Sequence, residues 1–253
     1  EQSYRFDTMR YTEEVIDPLL KVASPLRTAH FRDPMGPEVH FGQESFIDEV
    51  ALAAGMDPIE FRLKHLTDPR DIAVVALVAE KSNWQTRVGM NPDAGSGDIV
   101  MGRGVAYAQR NGATNALVAE LEVNKVTGRT YVRRFIVASD HGQIVNPKSI
   151  KTTIEGSIMM ALSRTMTEEV DFDAEMVRSE DWNSYPIMEM DIVPEAIDIH
   201  MINRLEIGPR GAGEATTRIV PGAIANAFFD ATGVRLRQVP LTPERVLAAL
   251  AGA

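Results

Sequence analysis

The chain has 253 residues, 44% hydrophobic and 25% charged, an ordinary globular composition with material for one large core or two modest ones. A net charge of -10 argues against nucleic acid or an anionic membrane surface as a partner, and the absence of cysteine excludes disulfides, thiolate metal sites and a cysteine nucleophile. No apolar run reaches the roughly 18 residues that a membrane span needs. The chain opens on Glu1, as a processed product or one subunit of a larger assembly would.

Residues 1–42 read as an extended segment, because Pro18, Pro25, Pro34 and Pro37 remove backbone donors and bias their predecessors away from helix. A small helical unit is expected over 43–90. "QESFIDEVALAAG" places Phe46, Ile47, Val50, Ala51 and Ala54 on one helical face, with Gly55 as the stop. Asp57-Pro58 and Asp68-Pro69 each pair an N-cap with a first-turn proline, so two more helices open there. "NPDAGSGDIVMG" is a loop by composition.

The period then switches to two. "GRGVAYAQ", "ALVAELEVN" and "VTGRTYVRRFIVASD" read as strands, with Gly128 at a positive φ in the turn between the last two. A helix opened by Pro147 carries Ile150, Ile154, Ile158, Ala161 and Leu162 at helical spacing, and Met159–Met160 is expected on a buried face. "TEEVDFD" and "AIDIHMIN" are strand candidates; "VPGAIANAFFDATG" and "TPERVLAAL" are helices, the first closed by Gly233. A helical block followed by mixed strands and helices argues an α+β fold, with residues 98–253 as its larger domain.

Three loops carry residues with chemical potential. In "PRGAGEATTR", Gly211, Ala212 and Gly213 lead into Glu214. Small residues allow close backbone approach to a ligand, and an ionised carboxylate there can serve as a general base; the alternative is a solvated acid on a tight turn. In "SDHGQIVNP", Asp140, His141, Gln143 and Asn146 offer metal ligands or turn and helix-start chemistry, and the spacing matches no common zinc pattern. In "HFRDPMGP", Arg32 and Asp33 offer either a guanidinium for an anionic group or a local surface pair.

Read together and in order, these loops resemble the large, molybdenum-cofactor-binding subunit of the xanthine dehydrogenase/aldehyde oxidase family. The likeness runs from "SPLRTAHFRDPMGPEVHFGQESFIDEVALAAGMDPIEFRLKHL" through "GRGVAYAQ", "LVAELEVNKVTGRTYVRRFIVASDHGQIVNP" and "IEGSIMMAL" to "GPRGAGEATTRIVPGAIANAFFDATGVRLRQVPLTPERVLAAL". It implies that residues 98–253 form a molybdopterin-binding domain and that the reaction is hydroxylation of an electron-poor carbon with water as the oxygen source. It also implies that Glu214 is the base, that Arg32 lies near the molybdenum with Asp33, Pro34 and Met35 lining the same side, and that Gly213 and Thr153 border the cofactor. None of these residues is assigned as a metal ligand.

The pattern departs from the family at several places. Asp33, Pro34 and Met35 stand where Gly-Phe-Gly is frequent, Thr153 stands where a cofactor-bonding Gln is frequent, and Ala215 replaces a frequent Pro. The family's glycine-rich loop ahead of the arginine segment, its Gly-Gln-Gly segment, its iron–sulfur cysteines and its flavin segment have no match here. The resemblance therefore implies a part-active site completed by another chain or segment. It further implies a molybdenum-molybdopterin cofactor in the cytosine dinucleotide form, an iron–sulfur subunit, and FAD or a haem cytochrome on a further subunit. The layout is similar to the bacterial branch that oxidises N-heteroaromatics such as isoquinoline and nicotinate, or aldehydes. Cytoplasm is the compartment expected, with periplasm as the alternative. A non-catalytic assembly subunit and a small-molecule binding domain are the rival readings.

Overall fold

The computed structural model describes residues 3–10, 12, 14 and 30–252. Pro18, Pro25 and most of the segment expected to be extended lie outside the described residues. Six helices and four strands follow in the order α1 (Gly36–Ala53), α2 (Pro58–His65), α3 (Pro69–Lys81), β1 (Ile99–Arg110), β2 (Ala113–Asn124), β3 (Thr130–Asp140), α4 (Pro147–Met166), β4 (Ala196–Ile202), α5 (Val220–Thr232) and α6 (Pro243–Ala251). This is an α+β fold, as the element order predicts.

The Asp-Pro devices act as read. Asp57 accepts from the Ile59 and Glu60 N–H groups, and Asp68 from the Arg70 N–H, which satisfies donors that a helix start leaves free. Helix α1 begins at Gly36 instead of near Gln43 because Pro37 occupies its first turn, where the missing N–H costs nothing. Residues 36–42, expected to be extended, are therefore helical. Its buried face also differs: Ile47 and Ala51 are buried, Phe46 is 63% exposed and Ala54 is exposed, while Glu44 and Asp48 turn inward. The reason is Arg62 of α2, fully buried, whose guanidinium donates to Glu44 Oε2 at 3.0 Å and Asp48 Oδ1 at 2.7 Å. A buried cation needs paired acids, and this need outranks the apolar period on α1.

Strands β1, β2 and β3 form an antiparallel meander, and β4 adds parallel to β3. The register slips at Glu120/Leu121, where Arg133 is the extra residue. That bulge lets Val132 and Phe135, three apart, face the same core. One face of the sheet packs Val105, Val118 and Ile136 against Ile47, Phe61 and Val74 of α1–α3. The other packs Leu117, Leu121 and Phe135 against Ile154 and Ile158 of α4 and Ile224 and Phe228 of α5. The result is a sheet between two helical layers.

Helix α5 lies almost directly on β1. A Cβ on Gly104 would stand 2.1 Å from Ala227 N and 2.2 Å from Ala223 O, and one on Gly102 would stand 2.2 Å from Ala227 O. The glycines of "GRG" therefore set the approach of α5, and with it the position of the Gly-Ala-Gly-Glu loop just ahead of α5.

"TEEVDFD" is not a strand; only an isolated bridge joins Phe172 to Val177. Four of its seven residues are acidic, and Val170 and Phe172 remain 43% and 38% exposed, so no core rewards the alternation. Gly128 has φ 73, as the turn requires, and β3 starts at Thr130 because residues 125–129 belong to that turn. Among the described residues no helix is long and apolar enough to cross a membrane.

Candidate active site

The fold gathers Arg32, Asp33, Gly213 and Glu214 from positions 181 residues apart. Arg32 Nε donates to the Gly213 carbonyl at 2.5 Å, and the Asp33 N–H donates to Glu214 Oε1 at 3.2 Å. Ser157, on α4, shares its one hydroxyl hydrogen between the Thr153 carbonyl at 2.8 Å and the same Gly213 carbonyl at 3.0 Å. Among the described residues, a Cβ on Gly211 would meet nothing within 4 Å, and one on Gly213 would meet only the Arg32 guanidinium at 3.9 Å. The loop thus shows a bare face, and neighbours hold its backbone.

The carboxylate itself is held on both oxygens. Arg110, at the end of β1, donates from Nε to Glu214 Oε2 at 2.9 Å, and its Nη2 forms an ion pair with the same oxygen at 2.6 Å. Its Nη1 reaches Asp33 Oδ1 at 3.0 Å. Arg110 is aimed by a two-residue hairpin turn, Asn111-Gly112, with φ 51 and 77. The Asp33 N–H is the strongest influence lowering the Glu214 pKa; partial burial opposes it, and Arg110 and Arg32 reinforce it. Glu214, 37% exposed, is therefore ionised at neutral pH.

Asp33 supports this arrangement from below. It is 1% exposed and sits at φ 58, a conformation that Asp tolerates better than most side chains. Arg218, in a short 3-10 turn leading into α5, clamps its carboxylate from Nε at 2.9 Å and Nη2 at 2.6 Å. Gly36 is obligatory here, since a Cβ would stand 2.0 Å from Asp33 Oδ2. Pro34 and Met35 shape the turn: the Gly36 N–H closes on the Asp33 carbonyl, and Met35, at φ 61, leaves its side chain 71% exposed.

Thr153 stands one helical turn before Ser157. Its hydroxyl donates to the Ser149 carbonyl, and its own carbonyl accepts from Ser157, so it reaches the loop only through that serine. Met159–Met160 is not a buried pair: Met160 is 38% exposed, and its sulfur lies 3.2 Å from Arg32 Nη1. The Asp140–Asn146 turn follows the turn-chemistry reading. Asp140 accepts from Arg70, Arg204 and the Gly142 N–H, and Asn146 caps α4 through the Ser149 N–H. His141 is buried, with Nδ1 3.2 Å from the Gly211 carbonyl, and burial lowers its pKa.

Arg110, Arg218 and Ser157 do not stand out in the sequence. For Arg110 a signal exists, because Asn-Gly between two alternating segments marks a hairpin whose flanking residues share one end of the sheet. For Arg218 and Ser157 no local signal exists, since their partners lie 185 and 56 residues away.

Residues 37–194 match the model of the molybdopterin cofactor-binding domain family, a span that stops short of both Arg32 and Glu214. Over 98% of its length the chain is similar to a nicotinate dehydrogenase subunit of Pseudomonas putida, at 39% identity and covering 21% of that protein. It is 35% identical to the beta subunit of isoquinoline 1-oxidoreductase of Brevundimonas diminuta over 81% of this chain and 26% of the relative. The aldehyde oxidoreductase of Desulfovibrio desulfuricans shares the fold with a TM-score of 0.73, at 16% identity, over 87% of this chain and 41% of that one. The chain thus spans only about a fifth to a quarter of the length of the two sequence relatives. It belongs to the molybdopterin cofactor-binding domain family, within the xanthine dehydrogenase/aldehyde oxidase group.

Proposed function

We propose that this chain is part of a molybdenum hydroxylase that oxidises an N-heteroaromatic compound or an aldehyde with water as the oxygen source, with Glu214 as general base. The observation that carries this reading is an ionised carboxylate on a loop bare of side chains, with Arg32 beside it. Arg32 has no carboxylate partner among the described residues. These residues suit a molybdopterin: open space at Gly211 and Gly213 leaves room for it, and Arg32 offers a guanidinium for its anionic part. Arg32, Gly213, Thr153 and the backbone of Asp33, Pro34 and Met35 would hold it. When bound, the molybdenum centre supplies a two-electron acceptor and makes water-derived oxygen nucleophilic near neutral pH.

This chain's own residues then have separate tasks. Glu214 accepts the proton at Oε2, the oxygen now turned toward Arg110, while Oε1 stays on the Asp33 N–H. Arg32 and Ser157 fix the Gly213 carbonyl, so the base cannot drift with its loop. The remaining cofactor-binding segments lie on a partner chain or elsewhere in a longer polypeptide. An iron–sulfur subunit, with FAD or a haem cytochrome on a further chain, takes the electrons. The cofactor is the cytosine dinucleotide form, and the complex works in the cytoplasm.

The test is Glu214→Gln in the holoenzyme isolated from its native host. Turnover falls about 10²- to 10⁴-fold, while molybdenum and iron content and the co-purifying chains stay unchanged. Turnover close to wild type with full molybdenum would remove Glu214 from the chemistry.

A further inference from the structure

We infer that Arg110 is the receptor for a substrate carboxylate, so that the site takes an anionic substrate whose binding draws Arg110 away from Glu214. This rests on Glu214 being the base. Two guanidinium groups, Arg110 and Arg218, pair with two carboxylates, Asp33 and Glu214, and Arg110 is shared between both acids. Beside Arg110 opens a cleft of about 510 Å³, lined by Gln109, Arg110, Asn111, Gly112 and Arg218. Among the described residues no acidic side chain lines it. Its size falls in the range of small-molecule sites, and two arginines in a wall without acids select an anion.

Arg110 is also the member of the cluster that can leave at least cost. Asp33 keeps the two-point clamp of Arg218, and Glu214 keeps the Asp33 N–H. Arg218 cannot leave in this way, because it is the main partner of a carboxylate with no exposure. Arg110 is 26% exposed and stands at the tip of a hairpin. A substrate carboxylate replaces one carboxylate partner with another, so the guanidinium stays paired throughout. The exchange frees Glu214 Oε2, the oxygen that must take the proton. A neutral analogue offers Arg110 nothing and leaves the base engaged.

The test uses holoenzyme from the native host, as wild type, Arg110→Gln and Arg110→Lys. Pyridine-3-carboxylate and isoquinoline are the substrates. Benzoate and its neutral isostere benzamide are competitors against whichever substrate is oxidised. Wild type should be inhibited by benzoate well below the benzamide concentration needed. Arg110→Gln should weaken benzoate by about 10- to 100-fold, the worth of a charge-assisted pair, and leave benzamide unchanged. Arg110→Lys, which keeps the charge and loses the fork, should fall between. Equal inhibition of wild type by benzoate and benzamide overturns the proposal, even if neither variant folds. So does equal loss of benzoate and benzamide inhibition in Arg110→Gln. Failure of the base reading is separate: Glu214→Gln would then retain turnover whatever Arg110 does.

Discussion

Replacing Arg218 by Leu tests how much the candidate site depends on the buried Asp33. Arg218 supplies both guanidinium hydrogen bonds that reach this carboxylate, at 2.9 and 2.6 Å, and Arg110 adds an ion-pair contact at 3.0 Å. Removing one partner of a buried ion pair costs about 3–5 kcal/mol. The remaining Arg110 contact and the 10% exposure of Arg218 place this case near about 3 kcal/mol. For a chain of this size that lowers Tm by roughly 6–12 °C. Urea denaturation of the purified protein should show the loss in the midpoint with an unchanged slope. Asp33→Asn should cost less, because Asn accepts the left-handed conformation and leaves a cation that can reach water. The double variant Asp33→Asn/Arg218→Leu should recover part of the Arg218→Leu loss, which gives a coupling energy of at least about 1 kcal/mol. A loss of about 0.5 kcal/mol for Arg218→Leu, the scale of an ordinary surface change, would refute the reasoning. Strict additivity in the cycle would refute it as well.

Three further outcomes follow from α1 and from the contact of α5 with β1. Burial first, and then the Arg218 charge, push His40 down to about 4. Between that value and its unfolded pKa near 6.5 the unfolded chain binds more protons, so stability falls as pH falls through this window, by about 3 kcal/mol in all. His40→Asn keeps a donor for the Gly36 carbonyl, which His40 Nδ1 now contacts at 2.9 Å, and should flatten the dependence of urea stability on pH between 7 and 4.5. Gly104→Ala drives a Cβ into α5 backbone atoms 2.1 and 2.2 Å away and should cost about 3 kcal/mol or more. Gly42→Ala, inside α1 with nothing within 4 Å, should instead gain about 0.5–1 kcal/mol by thermal melting.

What the sequence revealed depended on whether the cause was local. Asp57-Pro58 and Asp68-Pro69 announced α2 and α3 because a cap and the N–H groups that donate to it sit within three residues. Gly128 announced its turn for the same reason. Helix α1 was legible as a helix but not in its start or its face. Pro37 breaks a helix in mid-course yet suits a first turn, and nothing nearby says which applies. The inward turn of Glu44 and Asp48 depends on Arg62, 18 and 14 residues away on another helix. The same division governs the candidate site. Glu214 and Gly213 stood out because glycines beside an acid are a local oddity. The groups that hold them, Asp33 N–H, Arg110 and Ser157, come from three different elements that only the folded sheet and helices bring together.

That division also explains why the acid sits on so bare a loop. A loop stripped of side chains lets a ligand approach closely but cannot fix a carboxylate by its own packing. The fixing groups must then come from outside. Here they come from the turn before α1, from the end of β1 and from α4. Each touches backbone or carboxylate and leaves the open face of Gly211 and Gly213 clear. The position of Glu214 is therefore a tertiary property, set largely by how closely α5 rests on Gly102 and Gly104 and by how firmly Arg218, just ahead of α5, grips Asp33. A base held in this way is kept ionised by neighbours as well as by solvent, and its proton affinity can be changed by moving one of them. Arg110 is the neighbour free to move, which makes the same contact that orients the base the means of releasing it.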